Sequence, residues 1–143
     1  MADTGSTDFG TAVPFMLERI GMVGHCWGGR VAWLAACHMP FAALATFYGG
    51  NIRKALGAGN QPPLGLTPHI SCPVIGFYGN NDTNPSPQDV ADYSAALTEA
   101  GIPHTFHQYD GAGHAFAQSV GIGLRCQAGA ARVVGRGEDL RVD

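Results

Sequence analysis

Residues 20–36 constrain the fold more than any other stretch. Ile20-Gly21-Met22-Val23 is an apolar run, Gly24-His25-Cys26-Trp27-Gly28-Gly29 is a glycine-rich turn, and Arg30-Val31-Ala32-Trp33-Leu34-Ala35-Ala36 reads as helix. Strand, sharp turn with a nucleophile at its centre, then helix is the layout of a nucleophile elbow, here G-x-C-x-G-G with cysteine where serine often stands. Such a turn strains the backbone at its tip. The pattern predicts that a Cβ at Gly24 or Gly28 would collide with the neighbouring strand or helix, and that Gly29 lets the helix pack close to the strand. Cys26 falls at a helix N-terminus, where free N–H groups and the macrodipole favour an anion. The N–H of Trp27, just after it, is the expected donor to an oxyanion. Taken alone, these six residues also fit a glycine-rich turn around a buried structural cysteine. A phosphate-binding loop fits less well, because Gly21, Gly24 and Gly28 do not make G-x-G-x-x-G and no G-K-[ST] follows.

A chain of 143 residues suffices for one domain with a real core. With 45% hydrophobic and 13% charged residues it reads as globular. The net charge is −3 and Lys54 is the only lysine, which argues against nucleic acid or an anionic membrane as partner. Cys26, Cys37, Cys72 and Cys126 form no C-x-x-C pair and no metal-like spacing with histidine. The N-terminus MADTGSTDFG has neither a basic start nor an apolar core of a secretion signal. The cysteines therefore read as thiols of a reducing, cytoplasmic compartment. No apolar stretch is long enough to span a membrane.

Phe9, Val13, Met16, Leu17 and Ile20 fall at helical spacing, with Pro14 marking a start. Residues 20–25 read as a buried parallel strand, being apolar without alternation. Residues 28–38 read as a helix ended by Pro40, and residues 42–48 as a second strand stopped by Gly49-Gly50. Residues 51–69 read as a loop with one short helix at most. Residues 72–79 make a third apolar strand, followed by the loop Asn80-Asn81-Asp82-Thr83-Asn84-Pro85. Ser86-Pro87-Gln88-Asp89 is a helix start, with Ser86 as N-cap, Val90, Tyr93, Leu97 and Ala100 as the apolar stripe, and Gly101 as the stop. Residues 105–109 alternate like a strand, and Asp110-Gly111-Ala112-Gly113-His114 is a turn. Strands alternating with helices predict βαβ units and a parallel sheet flanked by helices.

A thiol nucleophile needs a base, and the base an orienting acceptor. Asp82 follows the third strand and His114 the fourth, as Cys26 follows the first. Sites in open α/β sheets gather at that edge. Strand-end logic favours Asp82 as the acceptor, with Asp110, nearer His114 in sequence, as the alternative. His25 adjoins the nucleophile and either lines the cleft or points away from it. His104 and His107 would face opposite sides of a strand, which disfavours a metal there. His38 and His69 read as surface or loop residues.

These segments together resemble the dienelactone hydrolase family of α/β-hydrolases. The resemblance rests on GHCWGGR within residues 20–36, on Phe47-Tyr48-Gly49, on residues 70–74 through Gly79-Asn80-Asn81-Asp82, and on YDGAGHAF over residues 109–116, and it covers about residues 18–118. It implies a partial α/β-hydrolase fold beginning just before the elbow strand, over residues 1–118. It also implies a Cys26–His114–Asp82 triad and hydrolysis of an ester or lactone through an acyl-cysteine, with no cofactor and no metal. The expected partner is a small-molecule ester or lactone.

Three departures from the family pattern qualify this. About nineteen residues precede the elbow strand, where the family has several strands that carry the second oxyanion donor and groups that hold a substrate carboxylate. Gln118 stands where dienelactone-specific members have an arginine, so the substrate itself is not read from the sequence. Residues 119–143 are rich in Gly, Ala and Arg and lack a bulky apolar stripe, which predicts a divergent or frame-shifted tail of poor order. An elbow strand with a bare edge predicts self-association through that edge. The competing functions are a catalytically incomplete, non-enzymatic remnant of the fold and a thioesterase on the same scaffold.

Overall fold

The computed structural model describes residues 17–117. The helical spacing that starts at Phe9 therefore falls mostly outside the described residues, and so does the predicted tail at 119–143. The elements are β1 (Gly21–His25), α1 (Trp27–Ala36), β2 (Ala43–Phe47), a short 3₁₀ helix (Pro63–His69), β3 (Val74–Gly79), α2 (Pro87–Glu99) and β4 (His104–Tyr109). All three strand pairings are parallel and the sheet runs β1-β2-β3-β4 in chain order. Each strand therefore delivers the loop that follows it to the same edge of the sheet.

The register aligns Met22, Leu44, Val74 and His104 in one row across the sheet, and Val23, Ala45, Ile75 and Thr105 in the next. Successive residues face opposite sides. One side is covered by α1, the 3₁₀ helix and α2, and holds the main core of Trp33, Leu44, Ile52, Val74, Tyr78, Tyr93 and Leu97. Trp33 anchors this layer, with its ring 5.7 Å from Tyr93 and its indole N–H donating to Thr67 Oγ1 at 3.3 Å. Truncating a wholly buried residue such as Leu97 to Ala costs about 2–5 kcal/mol.

The other side carries a flat stack of rings. His25, Phe47, Phe77 and His107 share one register row, and neighbouring ring centroids lie 4.5, 4.5 and 5.2 Å apart. This corrects the expectation of a buried first strand. β1 is parallel as expected, but it forms an edge of the sheet and Val23 is 59% exposed, because α1 covers only one of its faces among the described residues.

Helix α2 begins as its sequence dictates. The Ser86 hydroxyl accepts from the Asp89 N–H at 3.2 Å and the Asp89 carboxylate accepts from the Ser86 N–H at 2.9 Å, a complete capping box worth about 1 kcal/mol. Gly101, at φ 70°, takes the left-handed position just past its end. No described helix is long and apolar enough to cross a membrane.

Candidate active site

The elbow is held from both sides. The Cys26 N–H donates to the Phe47 carbonyl at 2.9 Å, and its own carbonyl accepts from the Gly29 N–H at 3.0 Å. Cys26 thereby sits at φ 53°, ψ −121°, outside the helix that it caps and in the left-handed half of backbone space that a residue with a side chain rarely adopts. A Cβ at Gly24 would lie 2.1 Å from the Gly28 carbonyl oxygen, so only glycine fits there. A Cβ at Gly29 would lie 2.7 Å from both the Gly49 Cα and Thr46 Oγ1, which is how closely α1 rides on β2. Gly28 departs from expectation. A Cβ there meets nothing within 4 Å, because it projects from the first turn of α1 into open space while the carbonyl of the same residue takes up the room beside Gly24.

Asp82 and His114 arrive from the ends of β3 and β4. The Asp82 turn is closed by its N–H donating to the Gly79 carbonyl at 3.2 Å. The His114 turn docks on it through the Asn81 N–H, which donates to the Ala112 carbonyl at 2.9 Å. The Asp82 side chain is 3% exposed, and both of its oxygens are engaged. Oδ1 accepts from the Asn84 N–H at 2.9 Å, and Oδ2 lies 2.7 Å from His114 Nδ1. A carboxylate only accepts, so Nδ1 carries the hydrogen and Nε2 faces Cys26 Sγ, 3.0 Å away. The structure thus brings Cys26, His114 and Asp82 into one hydrogen-bonded line. Burial works against a charged imidazole here, but the hydrogen bonds to Cys26 and Asp82 and the charges of both outweigh it. His114 therefore titrates above the ordinary histidine value.

Aromatic packing completes the wall. The Tyr48 ring meets His114 edge-on at 5.2 Å and Phe116 at 5.4 Å. Tyr48, which the sequence reads as the end of a strand, lies beyond β2 at φ 41°. The glycine pair that follows it is the one sequence signal of that special backbone. Trp27 is 51% exposed at the first position of α1, where its N–H has no acceptor within the helix.

None of the other described candidates joins the hydrogen-bonded line. Asp110 accepts from Asn80 Nδ2 at 2.6 Å and does not meet His114. His25 and His107 are the two ends of the ring stack; the His25 ring also lies 5.9 Å from that of Tyr48, beside the site. His104 Nε2 lies 2.8 Å from Ser94 Oγ, on α2. His38 is exposed in the turn after α1, and His69 is exposed at the end of the 3₁₀ helix. Cys37 and Cys72 are buried in the main core. Burial and the proximity of Cys72 push the Cys37 thiol up to about 12, and burial raises Cys72 as well.

Comparison with known proteins follows the same geometry. The dienelactone hydrolase family model matches residues 8–133. A Salmonella typhimurium protein named "Putative carboxymethylenebutenolidase" is 33% identical over 100 residues, 69% of this chain and 37% of the relative. A Synechocystis protein of the same name is 32% identical over 99 residues, 69% of this chain and 40% of the relative. The chain thus spans well under half the length of these curated relatives. Among solved structures, one described as a "Putative Dienelactone Hydrolase" from Klebsiella pneumoniae superposes with a TM-score of 0.63 at 28% identity, over 82% of this chain and 51% of that one. Porphyromonas gingivalis dipeptidyl peptidase 4 superposes with a TM-score of 0.64 at 18% identity, over 84% of this chain and 19% of that one, a likeness of fold alone.

Proposed function

We infer the reaction from one premise: the chain belongs to the dienelactone hydrolase family, on an α/β-hydrolase fold. The reading is hydrolysis of a small ester or lactone through an acyl-cysteine intermediate, with no cofactor. The observation that carries it is His114 standing between Cys26 Sγ at 3.0 Å and Asp82 Oδ2 at 2.7 Å.

In this reading His114 Nε2 takes the thiol proton and Sγ attacks the carbonyl carbon. The carbonyl π pair moves to oxygen, and the N–H of Trp27, at the positive end of α1, donates to that oxyanion. Collapse expels the alkoxide, which takes the proton from His114. Water, deprotonated by the same Nε2, then attacks the thioester carbonyl, and the thiolate leaves and is reprotonated. Asp82 holds the imidazole with Nδ1–H inward and offsets its positive charge in both halves of the cycle. A single oxyanion donor is worth about 10²–10³ in rate.

Incubation of the full chain with p-nitrophenyl acetate tests this. Peptide mass spectrometry of quenched samples is expected to find acetyl on the Cys26 peptide, with turnover lost in Cys26→Ala. Undiminished turnover in that variant would sink the reading. Rates on oxygen esters, lactones and thioesters then sort the substrate class.

A further inference from the structure

We propose that Arg30 is a positioning residue for Asp82, acting through a brace of hydrogen bonds that runs from the nucleophile's own helix to the acid. The inference rests on the triad reading above. Arg30 lies on α1 four residues after Cys26 and is 3% exposed. Among the described residues no carboxylate lies within ion-pair distance of it. Its guanidinium instead donates to the backbone carbonyls of Asn51 and, at 2.7 Å, of Lys54, with its carbon 5.5 Å from the Trp27 ring centroid. A buried cation without an acidic partner is costly, so its two hydrogen bonds stabilise what would otherwise be a poor place for a charge.

What those bonds hold is the loop after β2. The Lys54 N–H also closes on the Asn51 carbonyl at 3.0 Å, so the turn from 51 to 54 is fixed at its mouth by Arg30. Asn51 is in the left-handed region at φ 57°. There its N–H donates to Asn84 Oδ1 at 3.0 Å. Gly50 lies flat against Asn84, and a Cβ on it would come within 2.7 Å of the Asn84 carbonyl oxygen and Oδ1. Asn84, pinned by its side chain, aims its N–H at Asp82 Oδ1 at 2.9 Å. That bond sets the carboxylate plane and so presents Oδ2 to His114. The brace thus links the two ends of the proposed triad, Cys26 and Asp82, by a second route that does not pass through His114. Its value lies in alignment, since a misplacement of about 1 Å can cost about 10²-fold in rate.

Two variants and their combination test the brace in the full chain. Arg30→Lys keeps the charge but not the fork that reaches two carbonyls. Asn84→Ala keeps the backbone bond to Asp82 but frees the loop that aims it. Each is expected to lower kcat for p-nitrophenyl acetate by about five- to tenfold with KM within about twofold, and to slow alkylation of Cys26 at about pH 7 by a similar factor. The double variant is expected to lose no more than the worse single one, as members of one network do. A wild-type kcat and Cys26 alkylation rate in either single variant, or losses that multiply in the double, would overturn the brace. If Arg30→Lys does not fold by circular dichroism, Asn84→Ala decides alone. If wild-type Cys26 is no more reactive than Cys37 and Cys72, the triad reading fails and the brace falls with it. If Cys26 is reactive and the variants leave it so, the brace alone fails.

Discussion

Cys26 and Cys37 cap opposite ends of the same ten-residue helix, and the two thiols could hardly be treated more differently. Cys26 stands at the N-terminal end in a strained left-handed conformation, partly exposed, its sulfur 3.0 Å from an imidazole. Cys37 stands at the C-terminal end in ordinary helical geometry, 5% exposed among apolar side chains, with its thiol pushed up to about 12. The helix dipole favours an anion at the first end and opposes it at the second. Position on one short element thus gives one thiol an imidazole contact, access and a favourable dipole and denies them to the other, and composition alone does not separate the two.

The widest separation is in alkylation. At pH 7.5 a thiol that titrates near 12 is ionised to only about 1 part in 10⁴–10⁵. Iodoacetamide should therefore modify Cys26 at least ~10³-fold faster than Cys37 in the native chain, read by peptide mass spectrometry. Comparable rates for the two would erase the contrast. His114→Ala should narrow it, slowing Cys26 about tenfold at pH 6.5 and leaving Cys37 unchanged, since only Cys26 has an imidazole partner.

Stability should run the other way. Cys37→Ser places a hydroxyl in the apolar core and is expected to cost about 1–3 kcal/mol in urea unfolding, against under about 0.5 kcal/mol for Cys26→Ser. The smallest effect is one of pH. His114 titrates above its unfolded value, so the added stabilisation of its protonated ring by Asp82 and Cys26 is fully present below about pH 6.5 and is lost as pH rises through the folded value. The destabilisation caused by His114→Gln should therefore be larger at pH 5.5 than at pH 9, and a penalty that grew with pH would contradict the assigned direction.

Much of the scaffold is legible in the sequence because it is local. The G-x-C-x-G-G elbow, the Ser86–Asp89 capping box and the glycine stop at 101 each depend on residues within a few positions of one another. Asp82 and His114 were reachable because a parallel sheet in chain order sends every following loop to one edge. What depends on register or on remote backbone was not legible. The ring stack from His25 to His107 needs four strands aligned row by row, and the Arg30–Asn51–Asn84 brace joins a side chain to carbonyls more than twenty residues away. Gly28 departs from the pattern because neighbouring glycines in one turn face different surroundings, and only one of them abuts the other's carbonyl. β1 departs from it because an unbroken apolar run does not say how many of its faces will be covered.

The strand order has a consequence for the making of the protein. A ribosome releases β1 and Cys26 before the imidazole that meets the thiol, which lies 88 positions later in the chain. Every intermediate length can pair the strands already made, since each new strand adds beside the last. None of them holds Cys26 and His114 together. The Cys26 thiol thus acquires its imidazole partner only when the last described strand docks and closes the turn that carries His114.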